Sequence, residues 1–169
     1  MEITHIPTVR KPIAWFKDNP ENYQEHSAEQ VADLVKSLER FGELKNVVAL
    51  PDGTLLAGHG IIEAARLAGA SEFDVKVFEG EAADAVGFLI ADNEIAKAAR
   101  RDDAQLAKLL KGLQDGDEGL SGTGYDDAGL KRLLDGLALP DTFPEYDENI
   151  DTSGVKTVQC PECGHEFPV

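Results

Sequence analysis

Two short stretches hold residue types whose spacing could do chemistry. The first runs from Thr54 to Gly69, where Gly58-His59-Gly60 stands between an apolar run, Leu55-Leu56-Ala57, and an Ala-rich pattern that stops at Gly69. Leu55 to Ala57 suit a buried strand, and the two glycines permit either a positive φ or a close backbone approach. Ala64, Ala65, Leu67 and Ala68 are good helix formers, with Gly69 as the residue just past the helix end. A strand, a glycine-flanked polar residue and a helix start together converge unpaired N–H groups, which suits an anion such as phosphate. The simpler alternative is a tight turn with a solvated histidine. At such a turn His59, with a pKa near neutrality, suits proton transfer or a transient positive charge; otherwise it hydrogen-bonds the turn. The second stretch is Cys160-Pro161-Glu162-Cys163-Gly164-His165, which holds the only two cysteines of the chain. Without a secretion signal this spacing reads as half a zinc site rather than a disulfide framework. A structural zinc takes four ligands, and His165 is close to Cys163 for an unstrained third, so either a second copy or a partner completes the shell, or no metal binds.

The elements that must position these residues follow from the pattern. Ile3 to Val9 alternates loosely and is expected as an edge strand, blunted by Pro7 and closed by Pro12. Ser27 and Gln30 make a capping-box pair for a helix whose apolar face is Val31, Leu34, Val35, Leu38 and Phe41, ended by Gly42. Asn46 to Leu50 and Thr54 to Ala57 are expected to pair as a hairpin across Pro51-Asp52-Gly53. Phe73 to Phe78 is a third strand. Between Glu81 and Lys97, Val86, Leu89 and Ile90 mark one helical face, and Asn93 continues it with an amide, as a hydrogen-bonded core group or as a ligand group. Asp103 is expected to cap a further helix that buries Leu106, Leu109, Leu110 and Leu113. A Gly-rich loop from Gly116 to Gly124 then leads to a last helix near Asp127–Leu137, buried through Leu130, Leu133 and Leu134. The stretch from Pro140 to Gly154 carries five acidic residues and no basic one, which reads as an extended acidic linker; Val155 and Val158 are expected in a short strand before the cysteines.

The chain has 169 residues, 42% hydrophobic and 28% charged, enough for one domain's core. No apolar run is long enough to cross a bilayer and the first residues lack a secretory pattern, so a cytoplasmic location is expected and a membrane partner is not. The net charge of −16 is uneven: residues 1–101 carry −6 and residues 102–169 carry −10. Duplex DNA binding draws on Lys and Arg, so it is not expected of the chain alone; the acidic half suits repulsion of DNA, solubility, or docking on a basic partner.

Three segments in this order resemble the ParB/sulfiredoxin superfamily, and more closely its short ParB N-terminal-like, nuclease-annotated proteins of phage and mobile-element type. They are Asn19-Pro20-Glu21-Asn22-Tyr23 ahead of the Ser27–Phe41 helix, Ala57 to Ala65, and Ile90-Ala91-Asp92-Asn93; Leu120 to Asp126 before the last Leu-rich helix is similar too. The resemblance implies an α+β fold, a small mixed sheet with helices, over residues 1–101. A helical extension over 102–137, a flexible acidic linker over 138–154 and a knuckle over 155–169 follow it. In that superfamily the glycine turn and the following helix hold nucleotide phosphates, and ParB proteins bind and hydrolyse CTP with Mg²⁺. Carried over by position, the resemblance implies that Asn19, Gly58, His59, Gly60, Ile61 and Ile62 hold the ligand, that Asp92 and Asn93 support metal and phosphate, and that His59 is the catalytic candidate. A second copy of the chain is one candidate partner, beside a protein of DNA methyltransferase or terminase type.

The departures are specific. The Arg usual in the family is replaced at Ile61 and at Glu21 or Gln24, and where an Arg often follows the Asp-Asn pair Glu94-Ile95-Ala96 stand instead. Each missing guanidinium removes a charge-assisted phosphate contact of roughly 1.5–3 kcal/mol, so two or three losses weaken nucleotide binding on the order of a hundredfold or more. Sulfiredoxin chemistry needs a cysteine where His59 stands, and Gly58-His59-Gly60 lacks the third glycine of a dinucleotide turn. Two functions remain. One is a nucleotide-binding domain, CTPase-like or NTPase-like, in a phage or plasmid-type DNA-processing system. The other is an inactive adaptor whose acidic tail and Cys knuckle recruit a DNA methyltransferase or terminase. Direct nuclease action ranks below both, for want of a compact carboxylate cluster.

Overall fold

The computed structural model describes residues 3–137 and 157–168. In these residues the local chemistry sets most element boundaries. Strand β1 spans Thr8–Pro12, helix α1 Ala28–Phe41, β2 Val48–Ala49, β3 Leu55–Ala57, α2 His59–Leu67, β4 Glu72–Val77, α3 Ala82–Lys97, α4 Asp103–Gln114 and α5 Asp127–Leu137. A hairpin of β5, Thr157–Gln159, and β6, Glu166–Pro168, follows. Ser27 caps α1 as its sequence demands, its side chain accepting from the Gln30 N–H at 3.1 Å.

The sheet is mixed, in the order β1-β4-β2-β3. β4 pairs antiparallel with β1, Thr8 opposite Lys76, and parallel with β2, Val48 also opposite Lys76. β2 and β3 pair antiparallel as the expected hairpin, with an irregular register between Val48 and Ala49. Alternation along β2 and β3 divides the core. Val47, Ala49 and Leu55 join Phe16, Ile62, Phe73 and Val75 on the face covered by α1 and α2. Val48 and Leu56 point the other way, to Ala85 and Phe88 of α3, and Ala57 at the end of β3 joins that cluster. A separate apolar cluster, Leu110, Leu120 and Leu130, holds α4 and α5 together. The described residues fall into two compact units, 3–137 and 157–168.

Four expectations are corrected. The first strand begins at Thr8 instead of Ile3, because its ladder is set by β4 residues Glu72–Val77 and Pro7 has no N–H to donate. Phe41 ends its helix 43% exposed rather than on the buried face. On α3 the buried residues are Ala85 and Leu89, while Val86 and Ile90 are exposed. Asp102, not Asp103, caps α4, accepting from the Gln105 N–H at 2.9 Å, and of the α4 leucines only Leu110 is fully buried, with Leu109 and Leu113 exposed. The acidic stretch from Pro140 to Gly154 and Val155 lie outside the described residues. Among the described residues no helix is long and apolar enough to cross a membrane.

Candidate functional site

The turn between β3 and α2 is built by two glycines with different tasks. Gly58 precedes α2 at φ +87°, a left-handed conformation, and a Cβ there would lie 2.9 Å from Val47 Cγ2. Gly60 has ordinary helical φ, but a Cβ would stand 3.1 Å from both the His26 ring and Leu34, so its bareness lets α1 and the loop before it close onto α2. No side chain caps α2. The first N–H groups of a helix have no acceptor within it, so those at His59, Gly60 and Ile61 open toward whatever occupies the space in front.

That space is a cavity of about 440 Å³. Gly58, His59, Gly60 and Ile61 form one wall, Asp92, Asn93 and Ala96 of α3 another, and Asn22, Gln24, His26, Gln30 and Leu34 a third. Lys45 and Asn46, just ahead of β2, complete it. The loop before α1 is shaped by its own amides: Asn22 Nδ2 donates to the Gln24 carbonyl at 2.9 Å and its Oδ1 accepts from the Gln24 N–H at 3.2 Å. His26 Nδ1 lies 3.2 Å from Gln30 Oε1, one turn along. Asn93 Nδ2 donates to the Leu89 carbonyl at 3.1 Å. Among the lining residues Lys45 is the one Lys or Arg and Asp92 the one carboxylate; amides predominate.

His59 is half-buried at the start of α2, and its Nε2 is buried with no hydrogen-bond partner. Burial lowers its pKa below the ordinary 6.5, helped by repulsion from His26, while Asp18 and the Leu55 carbonyl act in the opposite direction. The balance favours the neutral ring.

Of the residues singled out by sequence, Gly58, His59, Gly60, Ile61, Asp92 and Asn93 converge on this cavity. Asn19 does not line it. Its Nδ2 donates to the Leu55 carbonyl and its Oδ1 accepts from the Glu21 N–H, both at 2.9 Å, so it holds the loop to β3. Ile62 is fully buried in the core behind the turn. His26, Gln30, Lys45 and Asn46 were not legible as site residues, because nothing local distinguishes them and only the fold brings them together. Glu94, directly after Asp92-Asn93, lies on the last turns of α3 and accepts from Tyr23 Oη at 3.0 Å and from Lys97 Nζ at 2.9 Å. Lys97 and then Tyr23 hold its carboxyl below the usual range. It clasps the loop before α1 to α3.

No family model matches the chain. A curated protein does: over 75 residues, 44% of this chain and 86% of the other, it is 35% identical to the ParB-like nuclease domain-containing protein YnaK of Escherichia coli strain K12. The chain belongs to the ParB-like domain proteins. A solved structure shares the fold of this ParB-like chain. The chain superposes with a TM-score of 0.67 and 22% identity on the C-terminally truncated chromosome-partitioning protein ParB from Caulobacter crescentus complexed with CTP-gamma-S, covering 80% of this chain and 81% of that one. A pNOB8-like ParB N-domain aligns over 81% of this chain and 63% of its own, with a TM-score of 0.48 and 16% identity. The α+β architecture expected from the motifs is thus the one found. Among the described residues no three His, Cys, Asp or Glu side chains gather as a metal-binding group.

Proposed function

We propose that this ParB-like chain binds a phosphate-bearing ligand, a nucleotide with Mg²⁺, in the cavity before α2. The observation that carries the reading is the uncapped start of α2 facing a walled cavity, with N–H groups and the positive end of the helix dipole turned to one space. Its 440 Å³ falls within the ordinary range for a small-molecule pocket. The fold is also that of a ParB protein solved with CTP-gamma-S. Mg²⁺ binds through one or two carboxylates and substrate phosphates, and Asp92 with a phosphate oxygen fits that need. In this reading His59, at the cavity wall, is the residue that exchanges a proton with the ligand. The system served is DNA processing of phage or plasmid type.

A second reading rests on the charge of the lining. With Lys45 its one strong cation and Glu94 engaged by Tyr23 and Lys97, the cavity grips a triphosphate weakly, and the domain acts as an adaptor for a DNA-modifying or DNA-packaging enzyme. Calorimetric titration with a panel of nucleotides, with and without Mg²⁺, separates the two. Heat is expected with a nucleotide, and amide NMR shifts are expected at Gly58–Ile62 and at the facing walls of the cavity. Ile61→Arg, whose stem can leave the core edge while its head enters the cavity, is expected to tighten a triphosphate about tenfold, roughly 1.4 kcal/mol. No heat with any nucleotide and unmoved amides would leave only the adaptor.

A further inference from the structure

The hairpin of the second unit carries a feature the nucleotide site does not use. After Gln159 the ladder continues for one more pair, the Cys160 N–H donating to the His165 carbonyl at 2.9 Å. The chain then reverses through Pro161, Glu162 and Cys163 to Gly164, whose φ of +74° closes the turn and whose N–H donates to the Cys160 carbonyl at 2.9 Å. Gln159 Nε2 adds a bond to the Gly164 carbonyl at 3.1 Å. This pins both cysteines in one tight loop. Neither is in a disulfide; Cys163 is exposed and Cys160 half-buried.

Two thiolates on a preformed turn supply half of a tetrahedral shell. Among the described residues no third His, Cys, Asp or Glu gathers with them into a metal-binding group. The chain has no other cysteine. We infer that Cys160 and Cys163 bind Zn²⁺ together with the same two residues of a second copy, giving a four-thiolate site on a twofold axis. A twofold axis needs nothing beyond this sequence: each copy presents the same pair, and the pair presented twice satisfies the metal. The bridge must hold two chains that each carry a net charge of −16, so the metal, not surface attraction, supplies the association.

The test uses the full reduced chain, loaded with excess zinc and then desalted. Elemental analysis should give one zinc per two chains, and light scattering should give twice the 18.2 kDa chain mass, returning to the single mass with EDTA. Cys160→Ser and Cys163→Ser should each abolish both signals, and His165→Ala should leave both intact. Because these changes lie in the second unit, thermal unfolding of the first unit should not move, which separates lost metal from lost fold. Cobalt in place of zinc should show the spectrum of a tetrahedral four-thiolate centre. One zinc per monomer, a chain that takes up no zinc, loss of metal in His165→Ala, or a dimer that survives EDTA would each overturn the inference. None of these outcomes bears on nucleotide binding, which resides in the first unit.

Discussion

The buried, unpartnered Nε2 of His59 ties the proposed chemistry to a measurable property. Burial and the facing His26 lower the ring's pKa below 6.5, outweighing Asp18 and the Leu55 carbonyl, so below that pH the unfolded chain binds a proton the folded chain refuses. Where the unfolded state binds more protons, stability rises with pH. The contribution of His59 is therefore complete above pH 6.5 and is lost progressively as pH falls below it. His59→Gln should flatten this dependence, measured as urea-unfolding free energy from about pH 8 to about pH 5. Equal slopes in the two proteins would mean the ring is not desolvated as described. The neighbouring Gly60 illustrates what sequence can convey at this scale. Gly-His-Gly announces a turn with special backbone needs, and Gly58 has the positive φ. Gly60 instead makes room for His26 and Leu34 from an element far back in the chain, which the local sequence cannot specify.

Helix α1 is the element best read from its own residues, because the Ser27–Gln30 cap and the Val31 stripe are local chemistry. Its other end depends on a distant segment. Arg40 Nη1 donates to the Gly119 carbonyl at 3.0 Å and to the Ser121 carbonyl at 2.6 Å, joining α1 to the loop between α4 and α5. Arg40→Ala leaves these carbonyls to water and should destabilise the protein by about 1–2 kcal/mol, the partial exposure lowering the usual worth of charged hydrogen bonds. Faster amide exchange at residues 119–125 should accompany the loss. Unchanged unfolding and exchange would show the bonds to be incidental. α3 was harder to read because it is apolar nearly all round, from Ala82 through Ala85, Val86, Phe88, Leu89 and Ile90 to Ile95, so no stripe stands out and its buried side is chosen by the sheet. α4 misled in the opposite way: its regular leucines outnumber what α5 and the Leu120 loop can cover, and Leu109 and Leu113 stay exposed. The cavity was legible only where motifs were contiguous. Gly58 to Ile61 and Asp92-Asn93 are such runs, whereas Lys45, Asn46 and His26 are single residues whose meaning is their position in space.

Across the whole molecule, the net charge of −16 bears on DNA. Affinity for a duplex comes largely from cations that release its counterions, and this chain has 16 Lys and Arg against 32 Asp and Glu. Electrophoretic mobility shift at about 0.15 M salt should show negligible binding by the full chain. Tight binding that weakens steeply with added salt would contradict this. The sheet has a different consequence, concerning the order in which the protein can be made. β4 lies between β1 and β2, and Pro12 pairs with Glu72, 60 positions later. During synthesis, which proceeds from the amino end, α1 and the β2–β3 hairpin can form from neighbouring residues, but β1 has no strand to bond with until β4 has left the ribosome. The emerging chain therefore carries an unpaired strand edge across 60 positions, and the arrival of Glu72–Val77 joins β1 to β2 in a single closing step.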